Sequence, residues 1–287
     1  MKKQFKLLLL GLIISTISLN AQSLRIEPKD LVKNISEYKI IDTRDKSLYD
    51  KGHIKNALNF PIALTYEHIK NNGKLTNPIK MQSILRKLGL TLNSKIAVYD
   101  DGTFFDATRL FWALEVYGFS NVKLLNTGYK NWKSLSYPTS TITPSVKPSN
   151  YIAQINNKRL ATKFTTQIAT KNPNHIIIDA RGEKAYNGTI SSAKRFGHIP
   201  EARNFPASHN INYNDETQKF QTISKLKEIY KDVDKSKKIV LYCAIGRIAS
   251  TNYFALRELD YNVANYDASW KEWGNDSALP IINPSKD

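Results

Sequence analysis

The chain has 287 residues, 41% of them hydrophobic and 10% aromatic, with a formal net charge of +17 and one cysteine. That length suits about two domains of ordinary size, and the apolar content excludes a disordered or low-complexity chain. A single Cys excludes an internal disulfide, and five His without HxxxH or CxxC spacing give no metal-site signal and imply no cofactor.

The chain opens with a basic cluster, Lys2, Lys3 and Lys6, followed by an uncharged, mostly apolar run from Leu7 to Leu19 and a small-residue junction at Ala21. This is the pattern of a secretory signal peptide over residues 1–21, too short to span a bilayer comfortably; the alternative is an uncleaved anchor. Cleavage there removes three Lys and no acid, leaving a mature charge of +14 (17 − 3). Export, to the periplasm of a two-membrane cell, is the expected destination. No later segment reaches the ~18 continuous apolar residues of a spanning helix, so no stable membrane insertion is expected after signal removal. The Lys residues are scattered, Lys235, Lys237 and Lys238 being the densest group, and none of the basic stretches is interleaved with aromatics. Nucleic-acid binding is therefore not expected, whereas an anionic small substrate suits the charge.

The body of the chain repeats itself. Residues 40–61 and 177–206 both begin with an apolar run and Asp-x-Arg (Asp42 and Arg44; Asp179 and Arg181). Both end in Gly-His-Ile-x-x-Ala-x-Asn-Phe-Pro, and the second copy carries eight extra residues between. Further on, residues 95–99 match residues 238–242, and each half has a Trp near its end, Trp132 and Trp273. A period of about 140 residues is a duplicated domain, not a solenoid unit. The Pro- and Ser/Thr-rich stretch 138–150 reads as an extended, semi-rigid connector. The expected layout is a first domain at 22–137, a linker at 138–158 and a second domain at 159–287.

Short apolar runs such as Ile176-Ile177-Ile178 and Ile239-Val240-Leu241 predict fully buried strands, with helices between them. After the lone cysteine, Ile248, Ala255, Leu256 and Leu259 share one helix face. Alternating strands and helices predict an α/β fold in each half, a mostly parallel sheet flanked by helices, with the site at the carboxyl ends of the strands.

Cys243 sits at such an end. It follows Tyr242 directly and precedes Ala244, Ile245, Gly246, Arg247 and Ile248 and then a helix. Backbone N–H groups of a strand–loop–helix junction and the helix N-terminus favour negative charge, and the thiolate is the form in which cysteine attacks. Gly246 permits a tight curl, and Arg247 adds a cation. The alternative is a bland core cysteine.

The Cys loop, the Asp-x-Arg segment, RFGHIPEARNFP (195–206) and YDASWKEWG (266–274) resemble the C-terminal half of tandem rhodanese-type sulfurtransferases, a family that includes thiosulfate and 3-mercaptopyruvate sulfurtransferases. The resemblance covers nearly all of the mature chain and implies two tandem rhodanese-like domains. It implies a catalytic second half in which Cys243 takes sulfane sulfur from a small anionic donor as a persulfide. A thiophilic acceptor, cyanide or a thiol (a protein thiol partner included), then receives it. The loop backbone from Ala244 to Ile248 would hold the persulfide, and Arg181 and Arg247 would bind the donor. Asp100 replaces the cysteine in the first half, which should be non-catalytic. Asp179, His53 and His198 are expected to be structural.

The chain departs from the family at the sixth loop position, where Ile248 replaces the usual Arg or Thr and Arg247 stands at the fifth. Ala185 occupies the place of a second Arg typical of mercaptopyruvate enzymes, and Ala244-Ile245 replaces their Gly-Ser. These departures weaken the mercaptopyruvate reading but do not establish thiosulfate, since Ile245 also leaves the loop without the Lys of some thiosulfate enzymes; thiosulfate is the expected donor and mercaptopyruvate the alternative. A cysteine phosphatase would need an Arg where Ala249 stands. A non-turnover sulfur carrier or an inactive binding module is the alternative of another class.

Overall fold

A computed structural model describes residues 23–68, 73–213 and 217–286; the expected signal peptide lies outside the described residues. The first half forms a five-stranded sheet from Arg25–Ile26 (β1), Lys39–Asp42 (β2), Leu58–Asn59 (β3), Ile96–Tyr99 (β4) and Val122–Leu125 (β5), in the order β1-β5-β4-β2-β3. The second half repeats the design with Leu160–Ala161 (β6), His175–Asp179 (β7), Ala202–Asn204 (β8), Lys238–Tyr242 (β9) and Val263–Tyr266 (β10), in the order β6-β10-β9-β7-β8. Every pairing within the two sheets is parallel. The apolar runs explain this: the central strands are buried on both faces by helices, so they carry no alternating polar positions.

The shared motif builds the same clamp twice. In each half the Arg of Asp-x-Arg folds back onto its own Asp, with Nη2–Oδ2 at 2.6 Å for both Arg44–Asp42 and Arg181–Asp179. The same Nη2 donates at 2.8 Å to the carbonyl of the motif glycine, Gly52 or Gly197. The motif asparagine, Asn59 or Asn204, donates to the carbonyls of both Asp and Arg. His53 stacks on Tyr49 and His198 on Tyr186, with ring centroids 3.7 and 3.8 Å apart, and each Nδ1 meets the tyrosine carbonyl. The two histidines are therefore structural, as their presence in both halves suggests.

The halves meet through the helices that follow β4 and β9, Phe105–Val116 (α1) and Ala249–Glu258 (α2). Phe111 and Phe254 pack edge to face at 4.9 Å, and Thr108 Oγ1 lies 3.2 Å from Thr251 Oγ1. Glu115 accepts from the Tyr253 hydroxyl at 2.5 Å and from Arg257 at 2.8 Å. The apolar spacing predicts one buried face on α2, but residues 249–256 are buried all round, because the first half covers the other face. One apolar cluster consequently runs through both halves. The connector is anchored to the first half: Thr139–Ser140 pairs with His53–Ile54, and the hydroxyl of buried Tyr151 donates to the Tyr117 carbonyl at 2.6 Å.

Because Phe254 belongs to the shared cluster, Phe254→Ala is expected to destabilise both halves together, by about 3–5 kcal/mol. Urea unfolding followed by tryptophan fluorescence should keep a single transition at a lower midpoint.

Candidate functional site: a cysteine loop gripped from both halves

Cys243 follows β9 at its carboxyl end and is 1% exposed. The loop after it is pinned from several sides. The Cys243 N–H donates to Ser269 Oγ at 3.1 Å, and that hydroxyl donates to the Tyr266 carbonyl at 2.7 Å. The carbonyls of Cys243 and Ala244 accept from the N–H groups of Trp270 and Lys271, in the short helix Ser269–Trp273 (α3), at 2.9 and 3.0 Å. Asn265 donates to the Gly246 carbonyl at 3.0 Å. Gly246 has φ +68, and a Cβ there would meet the Asp267 carbonyl at 2.5 Å and Arg109 Nη1 at 2.9 Å. Glycine is therefore required by both backbone conformation and space.

The first half supplies the remaining grip, through an Arg whose place in the second half is taken by Asn252. Arg109, on α1, is 0% exposed. It donates through Nη1 to the Gly246 carbonyl at 3.0 Å, through Nη2 to the Gly73 carbonyl at 3.1 Å and through Nε to Thr65 Oγ1 at 3.1 Å. Its guanidinium lies 3.9 Å over the Tyr66 ring and 5.0 Å from that of Trp112. Among the described residues no carboxylate lies within ion-pair distance of it. A buried cation thus sits against the cysteine loop with carbonyls as its partners. Asp267 ties the same region together, its Oδ2 accepting from the Leu75 N–H at 2.8 Å; burial raises its carboxyl above the usual range. Neither Arg109 nor Tyr66 was singled out from sequence. Arg109 left a signal, a cation directly before the apolar run Leu110-Phe111-Trp112-Ala113-Leu114; Tyr66 left none.

Arg247 reaches across to the first half. Its Nε meets Asp106 Oδ1 at 2.5 Å, the side chain is 41% exposed, and the Asp106 hydrogen bond raises its pKa. It is the loop's cation at the boundary with solvent. Ile245, Gly246 and Ile248 complete the loop, with Ile248 capping the start of α2.

Arg181, expected to face a donor anion, lies buried beside Asp179. Its guanidinium is engaged by Asp179 and the Gly197 carbonyl and lies 4.6 Å from the Trp270 ring; Nη1 alone lacks a hydrogen-bond partner. Arg44 holds the same posture over Tyr129 in the half without a cysteine. The Asp-x-Arg ion pair is thus common to both halves.

Asp100 shows which donors such a loop gathers at its strand end. Its carboxylate, directly after β4, accepts from the N–H groups of Gly102, Phe104, Asp106 and Ala107 at 2.8, 3.1, 3.3 and 3.3 Å. Burial, with Asp101 beside it, nevertheless pushes its pKa up to about 7. The loop shape thus gathers backbone donors onto the side chain at the strand end, the place Cys243 holds in the second half. Among the described residues no cluster of His, Cys, Asp or Glu could hold a metal, and no helix is long and apolar enough to cross a membrane.

A Rhodanese-like domain model matches residues 27–135 and 161–276, and the chain belongs to that family. The thiosulfate sulfurtransferase of Corynebacterium glutamicum is 28% identical over 263 residues, covering 85% of this chain and 84% of that protein. The sulfur carrier protein TtuD of Thermus thermophilus is 28% identical over 279 residues, covering 89% and 91%. The crystal structure of SseA from Escherichia coli, described among 3-mercaptopyruvate sulfotransferases, matches with a TM-score of 0.77 at 26% identity, over 86% of this chain and 99% of that one. The protein is a rhodanese-type transferase.

Removing one partner of a buried ion pair leaves the other charge uncompensated. Arg181→Ala is therefore expected to cost about 3–5 kcal/mol in urea unfolding; a stable variant with a raised KM for an anionic donor would instead assign Arg181 to donor binding. For Asp100, the folded chain keeps its proton up to about pH 7, whereas an unfolded chain releases it near pH 4. Its contribution to stability is complete below the unfolded pKa and is lost as pH rises toward and through 7. Asp100→Asn should flatten that part of the stability profile, measured as urea midpoints at acid and neutral pH.

Proposed function

We propose that the protein moves sulfane sulfur from thiosulfate to cyanide or a thiol through a persulfide on Cys243. The observation that carries this is the buried Arg109 guanidinium set against the loop of the chain's one cysteine. The Cys243 thiolate attacks the outer sulfur of thiosulfate. The Sγ–S bond forms as the donor's S–S bond breaks, and sulfite leaves with the bonding electron pair. Cyanide then takes the outer sulfur, giving thiocyanate and restoring the thiolate. No oxidant or reductant is consumed, and two half-reactions through one covalent intermediate imply ping-pong kinetics.

Arg109 and the loop N–H groups stabilise the negative sulfur by fixed dipoles and charge, the pattern seen on the Asp100 carboxylate. Arg247, half-exposed at the boundary of the halves, draws in the anionic donor. On this reading the second half, 159–287, carries the chemistry and the first, 22–137, covers it. Residues 1–21 direct the chain to the periplasm, where it needs neither a nucleic acid nor a membrane partner.

The likeness to SseA supports mercaptopyruvate as an alternative donor, although Ala185 leaves its carboxylate without the second Arg. The likeness to TtuD supports a carrier that hands its sulfur to a protein thiol. The burial of Cys243 favours a small acceptor over that reading.

Thiocyanate production from thiosulfate and cyanide by residues 22–287 should be abolished by Cys243→Ala. Arg247→Ala should raise the KM for thiosulfate roughly tenfold, the loss of one charge-assisted contact. Persulfide loading without turnover would move the assignment to a carrier.

A further inference from the structure

Tyr66 is the buried polar group at this site that the mechanism above leaves unused. It follows the short turn Ile62–Thr65 of the first half, and the equivalent position after Ala207–Asn210 in the second half is Ile211. The side chain is 2% exposed, and its hydroxyl has no hydrogen-bond partner among the described residues. A buried O–H without an acceptor is costly and uncommon. The ring is held by the Arg109 guanidinium, which also grips the Gly246 carbonyl, so the phenol is fixed against the cysteine loop. Burial raises its pKa, and its surrounding charges are Arg109, Cys243, Arg247 and Asp106. The hydroxyl therefore stays protonated and can donate.

We propose that Tyr66 is a further catalytic residue, donating its hydroxyl hydrogen to the outer, negatively charged sulfur of the Cys243 persulfide. This rests on the persulfide reading and adds a donor from the first half to it. In the resting chain the Cys243 sulfur does not serve the hydroxyl as an acceptor. Loading adds one S–S bond of about 2.05 Å, extending the side chain by an atom that carries the negative charge. The orphan donor gains an acceptor only in the intermediate, so the interaction favours the loaded state over the free enzyme, the condition for accelerating the loading step. No proton is transferred; the phenol donates a hydrogen bond while sulfite departs with its electron pair. The Arg109 cation over the ring makes the O–H a stronger donor and strengthens the contact.

The test is Tyr66→Phe, which keeps the ring and its packing on Arg109. Its thermal midpoint without donor should equal or exceed that of the parent, since an unpaired buried hydroxyl is gone. Loading by thiosulfate, followed in single turnovers as sulfite release, should slow roughly tenfold to a hundredfold. The persulfide, assayed by cyanide-released thiocyanate after removal of the donor, should decay faster. A parent protein that takes up no sulfur overturns the persulfide reading and this assignment together. A parent that loads, beside a Tyr66→Phe protein that loads at the same rate and holds sulfur as long, overturns the tyrosine assignment alone.

Discussion

The site depends on one buried guanidinium. Arg109 belongs to the first half, yet its hydrogen bonds end on the cysteine loop of the second and on the Gly73 carbonyl that lies against it. A cation without a carboxylate partner is expensive to bury. The structure tolerates it by surrounding it with carbonyl oxygens, a threonine hydroxyl and the faces of Tyr66 and Trp112. The arrangement favours a negative charge nearby, and on the proposed reading a persulfide on Cys243 would supply it. It also requires the halves to be docked, which explains why α1 and α2 share an apolar cluster and why Glu115 and Arg257 are joined across the boundary.

Duplication separates scaffold from chemistry. Where the halves agree, the residues hold the chain to itself: the Asp-x-Arg clamp, the histidine on its tyrosine, the asparagine across two carbonyls. Where they differ, the site appears: Cys243 for Asp100, Tyr66 for Ile211, Arg109 for Asn252. Asp100 fills its own cradle with a carboxyl group and brings no thiol to the first half. Cys243 takes the corresponding place at the end of β9, where the proposed reaction would add and remove a sulfur atom.

The fold was legible because its signals are local or repeated. Continuous Ile and Val runs mark buried parallel strands, and two copies of one motif mark two domains. Cys243, Gly246 and Arg247 were legible as one loop at one strand end. Asp-x-Arg spacing does not tell a clamp from a ligand, and Arg44 repeats the ion pair in a half without a cysteine. Arg109 and Tyr66 were not found because they lie 134 and 177 residues from Cys243 in sequence and reach it only through docking of the halves. The all-round burial of α2 was missed for the same reason, since its spacing shows only the face turned to its own sheet.

The central claim is that sulfur is carried on Cys243 inside this charged enclosure. Intact-protein mass spectrometry after incubation with thiosulfate and removal of excess donor tests it most directly. The account predicts a mass increase of one sulfur atom, mapped to Cys243, erased by cyanide and absent from Cys243→Ser. An unchanged mass in the parent protein, or an equal gain in Cys243→Ser, would contradict it.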